Sequence, residues 1–461
     1  MSISSKDYSS PKPVLARDFE GRVVGPGDAD YDTLRTVHAG GIDKRPALIL
    51  RPKNAQDVSR AIAAARDAGV PLSVRSGGHS GAGHSTNDGG FVIDLRDMKT
   101  LEIDVAGRSA WAETGLTAGE VSSAVTAKGL VVGFGDAATV GIGGITLGGG
   151  VGYLSRKHGL TIDSVLAVEI VTAAGEVRII DDKREPELFW AVRGGGGNFG
   201  VVTRFQFRLH PLPAFTGGMM ALPATAETIA GFLAAADAAP EELSTIANVM
   251  PAPPLPFLPA QWHGKPIILG MLAFAGEDAA AQEALKPFRA LATPLADFVK
   301  PGPYMQMYPP EEPGFRPTVA IRTFFVDGID AAAGGKVVDY LAKGDAAMRV
   351  AQFRVLGGAA ARVPSNATAY GHRNRRIMVN VAAFFNGVAD RPKKQQWVDE
   401  FARAISNGDR PGAYVNFLND EGPDRIREAY PGATWDRLRQ VKAKYDPENL
   451  FRLNQNIPPS A

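Results

Sequence analysis

Apolar side chains recur along this chain with two different periods, and the switches between them mark out its elements. From residue 54 the run Asn-Ala-Gln-Asp-Val-Ser-Arg-Ala-Ile-Ala-Ala-Ala-Arg predicts a helix, with Asn54 as its cap and Gly69 as its stop. A second helix is expected from Thr117, which can form a capping box with Glu120, and it stops at Gly129. Residues 71–75 predict a strand that runs straight into a glycine-rich turn. Residues 165–172 and 176–180 predict two strands with Ala174-Gly175 as the turn between them, while Val201, Thr203, Phe205, Phe207 and Leu209 share one strand face by their spacing of two.

After Pro211-Leu212-Pro213 the pattern changes. Strands expected at 267–274, 319–325 and 377–385 alternate with amphipathic helices beginning near Glu277 and Lys393, and proline-rich connectors such as 251–256 separate them. From Gly412 a strand, a helix over 435–444 and a polar-aromatic end are expected. This gives residues 1–212 as an early domain, 213–411 as a middle domain, and 412–461 as a tail that rejoins the first.

A chain of 461 residues is long enough for two cores, and 45% apolar with 21% charged residues is ordinary globular composition. The formal charge of +1, from 50 basic and 49 acidic side chains, gives no reason to expect a nucleic-acid or membrane-surface partner. No stretch approaches the ~20 apolar residues needed to cross a bilayer, and the opening residues lack a secretory pattern. A soluble, cytoplasmic protein is the expectation. Zero cysteines exclude disulfides, thiolate metal sites and cysteine nucleophiles. Seven scattered histidines without clustered carboxylates predict no metal site.

Glycine carries the chemistry. Three segments are dense in it: Arg-Ser-Gly-Gly-His-Ser at 75–80, Val-Gly-Ile-Gly-Gly-Ile-Thr-Leu-Gly-Gly-Gly-Val-Gly at 140–152, and Arg-Gly-Gly-Gly-Gly-Asn-Phe-Gly-Val at 193–201. Without a Cβ the backbone can take positive φ and a ligand can come close, so successive N–H groups can converge on a pyrophosphate. Any one cluster could serve tight turns alone. Gly195, Gly197 and Gly200 fit G-x-G-x-x-G, but a strand pattern follows, whereas a Rossmann turn must open a helix. Walker, H-E-x-x-H and G-x-S-x-G motifs are absent. His79 ends a glycine turn after an apolar strand, where its ring could reach a bound dinucleotide's flavin edge.

These residues resemble the vanillyl-alcohol oxidase superfamily with its PCMH-type FAD-binding domain, specifically the berberine bridge enzyme-like branch. The resemblance runs through Phe-Val-Ile-Asp-Leu-Arg-Asp-Met at 91–98, the 140–152 segment, Asp163, the stretch 187–202, Tyr-Val-Asn-Phe at 414–417 and the final residues from Lys444. It implies an α+β fold: an FAD domain of two α+β subdomains built from both chain ends, and a middle domain whose antiparallel sheet, covered by helices, shapes the substrate site. It implies FAD carried on His79, with Arg75, Ser76, Gly77, Gly78, Ser80, Val140, Gly141, Gly143, Gly144, Gly148, Gly149, Gly152, Asp163, Gly197, Asn198, Gly200, Val201, Gln455 and Asn456 around the cofactor. Many members add a second bond from a cysteine. Here 133–141 reads Gly-Phe-Gly-Asp-Ala-Ala-Thr-Val-Gly, and Ala137 stands at that place. A single link, as in hydroxynicotine oxidase-like members, is therefore expected.

The same resemblance implies hydride transfer from a small substrate to flavin N5. Asn380 falls where Glu or Gln often stands and would orient substrate, since an amide is no base at neutral pH. Tyr414 and Asn416 form the Tyr-x-Asn motif, with Tyr414 as proton acceptor or anchor if its phenol is activated. Tyr304, Met307 and Tyr308 could line the pocket or fill ordinary core. Arg375 and Arg376 fit a solvated strand end. Val140 leaves room for dioxygen, favouring an oxidase that makes hydrogen peroxide from a cyclic, alkaloid-like amine, an alcohol or a sugar. A dehydrogenase with another acceptor, and an FAD-binding protein without turnover, remain as alternatives.

Overall fold

The computed structural model describes residues 19–308, 314, 316–406 and 412–461. The opening stretch read for targeting signals and the boundary at residue 411 lie outside these.

The expected local signals act as written. Asn54 caps helix Ala55–Asp67 by accepting from the Asp57 amide at 2.9 Å, and Gly69 leaves the helix with φ +63°. Thr117 and Glu120 close a reciprocal capping box on helix Ala118–Thr126. Gly175 makes the turn between strands Val165–Val171 and Val177–Ile180 at φ +84°.

The first half of the chain forms two main sheets, besides a two-stranded ribbon of Leu130–Val131 and His210–Pro211. Strands Arg22–Val24, Leu48–Arg51, Phe91–Asp94 and Leu72–Arg75 lie in that spatial order, the last three mutually parallel. Strands Leu101–Asp104, Ser109–Glu113, Val201–Arg208, Val165–Val171 and Val177–Ile180 form a second, antiparallel sheet. The fold is α+β.

The middle of the chain forms one antiparallel sheet of eight strands, six of them long, in the order Thr216–Pro223, Pro266–Phe274, Leu243–Pro251, Met348–Val355, Ile377–Phe385 and Thr318–Val326, with short strands Ala296–Asp297 and Lys300–Pro301 on the free edge of the first. Four helices, Ala226–Ala238, Asp278–Arg289, Ala331–Lys343 and Arg391–Ile405, cover one face. Side-chain alternation divides each strand: Val379, Val381 and Ala383 pack under those helices, while Met378 packs with Val151, Tyr370 and Tyr414 on the other side. That second face forms a roof over the glycine-rich segments.

The tail departs from expectation at one point. No strand forms after Gly412; Val415–Phe417 is a single 3-10 turn. Tyr414 and Asn416 are held by backbone atoms of the 140–152 segment, so the segment has no strand neighbour to pair with. Helix Thr434–Tyr445 follows, and Leu438, Val441 and Tyr445 join the same core as Val168, Trp190 and Phe205. Lys442, fully buried, fixes this return: its ammonium donates to the Asn198 and Phe451 carbonyls at 2.7 and 3.0 Å and to Asp446 at 2.6 Å. Among the described residues, no helix is long and apolar enough to cross a membrane.

The roof is bolted down by Arg373, whose guanidinium makes two 2.7 Å bonds to the two oxygens of Asp163. Their side chains are 0% and 9% exposed, so removing one partner strands the other in low dielectric. Asp163→Ala should lower unfolding free energy by about 3–5 kcal/mol in urea titrations. A loss below about 1 kcal/mol would count against this clamp. A second expectation concerns acid. Desolvation, with His210 and Lys157 adding charge repulsion, pushes His158 down to about 3, and burial pushes His372 down to about 4. These imidazoles stay neutral in the fold, while the unfolded chain takes up protons near pH 6.5. Stability is therefore full above about pH 6.5 and declines as pH falls toward 4. The urea midpoint at pH 5 should lie below that at pH 7.5.

Candidate functional site

Strand Leu72–Arg75 delivers the chain into the first glycine turn, and Arg75 braces that turn from beneath. Its side chain is fully buried and donates to the carbonyls of Ser85 (3.1 Å), Arg35 (3.2 Å), Thr36 (3.4 Å) and Leu34. Burial pushes its pKa down to about 10. Ser76 continues the brace, donating to the Thr114 carbonyl at 2.7 Å and accepting from the Gly143 amide at 3.1 Å.

Two glycines explain why the first and second segments meet. A Cβ at Gly77 would stand 2.2 Å from the Gly141 nitrogen, and one at Gly141 would stand 2.1 Å from the Gly77 nitrogen. Backbone touches backbone there, which only glycine permits. Gly144 and Gly197 differ: a Cβ at either meets nothing within 4 Å. They open into space.

That space is a cavity of about 370 Å³ between the glycine segments, the Tyr414 turn and the last residues of the chain. Of the positions singled out from sequence, Ser76, Gly77, Gly78, His79, Ser80, Val140, Gly141, Gly143, Gly144, Gly197, Asn198, Gly200, Val201, Tyr414, Asn416 and Gln455 form its wall. Arg75, Gly148, Gly149, Gly152, Asp163, Asn380 and Asn456 stand outside the wall, and packing gives the reason for most. A Cβ at Gly148 would overlap the Asn416 amide at 2.0 Å, and one at Gly152 the Phe134 carbonyl at 1.7 Å. Gly149 packs against the Tyr370 and Tyr414 rings. Asp163 engages Arg373 through both oxygens and the Leu160 amide through one, so from outside the wall it clamps the roof.

His79 stacks on His38 with ring centroids 4.1 Å apart and planes inclined by 12°, and its Nε2 lies 3.1 Å from Thr139 Oγ1. The ring is fixed at the cavity wall. Tyr414 is held otherwise than expected. Its hydroxyl oxygen accepts from the Gly150 amide (2.8 Å), the Val151 amide (3.4 Å) and the Asn416 side chain (3.0 Å), yet burial still raises its pKa. These three donors hold the phenol oxygen on the Gly150 turn. Asn416 also donates to the Ile145 carbonyl at 3.1 Å. Asn198 ties the third glycine segment to the chain end, bonding Gly195, Gln455 and Ile457 at 2.9–3.1 Å. Gln455 donates to the Leu418 carbonyl at 2.8 Å. Asn380 donates to Gln352 Oε1 at 3.3 Å on the roof, and its own side-chain Oδ1 has no partner among the described residues. Tyr304, Met307 and Tyr308 pack with Tyr153 and Phe215 as core, the two phenols 3.1 Å apart.

The motifs missed several wall residues. Ser85 Oγ, Thr114 Oγ1, His84 Nε2 and Asn454 Oδ1 are buried beside the cavity without partners among the described residues. Orphaned polar atoms around open glycines fit a large polar ligand that supplies their hydrogen bonds. His84 is neutral, its pKa pushed down to about 4 by burial. The signal for His84 and Ser85 was their place a few residues past the Arg75 segment. Asp136 was visible only as the neighbour of Ala137.

A glycine-walled cavity with backbone crossings, unpaired polar atoms and a fixed imidazole suits a large polar ligand of the dinucleotide kind. Residues 46–181 match the FAD binding domain family, and residues 413–458 match the berberine and berberine-like family. The chain is 30% identical over 476 residues to (R)-6-hydroxynicotine oxidase of Paenarthrobacter nicotinovorans, covering 98% of this chain and 99% of that one. It is 26% identical over 453 residues to xylooligosaccharide oxidase of Thermothelomyces thermophilus, covering 90% and 88%. The crystal structure of 6-hydroxy-D-nicotine oxidase from Arthrobacter nicotinovorans superposes with a TM-score of 0.86 at 27% identity, over 100% of both chains. The chain therefore belongs to the berberine bridge enzyme-like family of FAD-linked oxidoreductases, and it is an FAD-dependent oxidoreductase.

The two kinds of glycine separate in a substitution test. Gly141→Ala forces a methyl into the Gly77 backbone and should cost stability even without flavin. Gly144→Ala has room in the protein but intrudes on the ligand. It should leave the melting temperature of flavin-free protein unchanged while lowering the flavin-to-protein ratio. Equal melting temperatures for flavin-free Gly141→Ala and wild type would refute the backbone contact.

Proposed function

We propose that the protein is an oxidase that carries FAD through one covalent bond, to His79. It takes a hydride from a small substrate whose reacting carbon neighbours nitrogen or oxygen, and it passes the electrons to O2 to give hydrogen peroxide. The observation that carries this reading is His79 fixed in the wall of the same cavity that Ala137 lines. Without any cysteine in the chain, no second link, through a cysteinyl thioether, can form.

When bound, FAD supplies the hydride acceptor. The chain's own residues do the rest. Gly144 and Gly197 admit close approach, and Ser85, Thr114, His84 and Asn454 offer polar atoms that the protein itself leaves unpaired. The roof sheet, held by Arg373 and Asp163, excludes water and limits substrate size. Val140, partly buried at the wall, keeps a small apolar side chain where dioxygen would approach. Two relatives are named for a hydroxylated nicotine and a xylooligosaccharide. Those names support amines, alcohols and sugars as the compounds to try.

The test is acid precipitation of purified protein. Yellow colour should stay with the wild-type pellet and be lost from His79→Ala. Colour released from the wild type would sink the covalent bond. Photoreduced enzyme should regain its yellow colour within seconds in air; reoxidation only with quinones or dyes would make it a dehydrogenase. Val140→Leu should slow reoxidation by about tenfold, a barrier increase near 1.4 kcal/mol.

A further inference from the structure

The cavity wall holds a carboxylate to which neither the glycine motifs nor the family resemblance gives a role. Asp136, between Gly135 and Ala137, lines the cavity together with His79, Val140 and Tyr414, and it is the only acidic side chain among the described residues that does so. Its Oδ2 accepts from Arg354 Nη2 at 2.6 Å. Its Oδ1 has no protein partner among the described residues. The Asp136 side chain is 31% exposed and that of Arg354 4%. One oxygen is thus gripped from behind while the group as a whole opens toward the cavity.

Arg354 cannot swing away. It projects from strand Met348–Val355 on the roof, with Nε and Nη2 donating to Gln352 Oε1 at 3.0 and 2.9 Å and Nη1 to the Val151 carbonyl at 3.3 Å. Its guanidinium lies 5.1 Å from the centre of the Phe417 ring. Gln352 is itself held by Asn248 at 2.8 Å and Asn380 at 3.3 Å. A row of amides across three strands therefore fixes the guanidinium, and the guanidinium fixes the carboxylate. A charge-assisted bond of this kind is among the strongest available for aiming a side chain. Among the residues of the Tyr-x-Asn turn and the amide row, the Tyr414 oxygen is filled by three N–H donors, and amides do not take protons.

We propose that Asp136 is the proton acceptor of the oxidation, with Arg354 as its positioning residue, and that the substrate carries a neutral hydroxyl or amino group on the carbon oxidised. This rests on the oxidase reading above. The substrate C–H bond breaks, and its electron pair leaves as hydride to the flavin. The O–H or N–H bond breaks, its pair becoming the second bond of C=O or C=N, and the proton ends on Asp136. Dioxygen then takes the two electrons together with two protons, one brought by the hydride and one from solvent, and leaves as hydrogen peroxide. Asp136 returns its own proton to solvent, so the protons balance.

The experiment uses flavin-loaded wild type, Asp136→Asn, and the double variant Asp136→Asn/Arg354→Gln, which removes the buried cation along with its partner. With (R)-6-hydroxynicotine, xylobiose and simple alcohols as probes, the limiting rate of anaerobic flavin bleaching should fall about 100-fold or more in both variants. The half-saturating concentration should stay within about threefold, because shape and hydrogen bonding persist. The flavin midpoint potential, measured against redox dyes without substrate, should rise in Asp136→Asn, since a nearby negative charge opposes reduction. If Asp136→Asn fails to fold, the double variant carries the rate measurement. Its own potential, compared with that of Arg354→Gln alone, then reports the carboxylate. An unchanged bleaching rate overturns the proposal. So does an unchanged potential, which decides the matter if no probe bleaches the wild type. A protein that purifies without flavin overturns the oxidase reading and this inference together, whereas a flavin-loaded enzyme with an unaltered potential overturns the inference alone.

Discussion

The architecture depends on one contact between two backbones. Gly77 and Gly141 approach so closely that neither could carry a side chain, and through them the end of a parallel strand touches the start of helix Ile142–Leu147. That contact sets the spacing of the turn holding His79 and the helix start bearing Gly143 and Gly144. Both are cavity walls, so the cavity's width follows from it. Arg75 and Ser76 hold the turn to the contact by bonding backbone carbonyls, which do not titrate or rotate away.

The remaining walls arrive from distant sequence, and each is fastened by a buried charge. Lys442 gathers the Asn198 loop and the chain end. Arg373 grips Asp163 and so seats the roof sheet. Arg354 reaches from the roof to Asp136. In each case a long cationic side chain ends on several acceptors at once, which offsets the desolvation of burying it. A cavity assembled this way can close around a large polar cofactor while its roof varies independently in the groups it presents to substrate.

Local signals in the sequence carried far. Asn54, the Thr117–Glu120 pair, and Gly69, Gly129 and Gly175 all fix elements through bonds made within a few residues, so they are legible without knowing what packs nearby. Long apolar strands such as Ile377–Phe385 were equally plain. Strands Thr216–Pro223 and Met348–Val355 were not. The first is broken by Gly217 and Gly218, and the second carries Arg349, Gln352 and Arg354, so neither shows the apolar run that marks a sheet core. Their strand character comes from the partners on either side.

The sequence by itself determined the family, the cofactor class and the glycine turns, because these rest on ordered local motifs and on residues whose backbone freedom is intrinsic. It also excluded a cysteine link outright. Only the tertiary structure decided which named residues face the cavity and which brace it. Asp163 became a clamp because Arg373, far along the chain, meets it with two hydrogen bonds. Tyr414 became a brace for the Gly150 turn because that turn's amides and Asn416 converge on its buried oxygen. Asp136 gained a role because strand register turns Arg354 toward it, and a shift of one residue would have pointed that side chain into the helices instead. Side-chain direction and burial are set by what packs from elsewhere in the chain, and no local pattern encodes them.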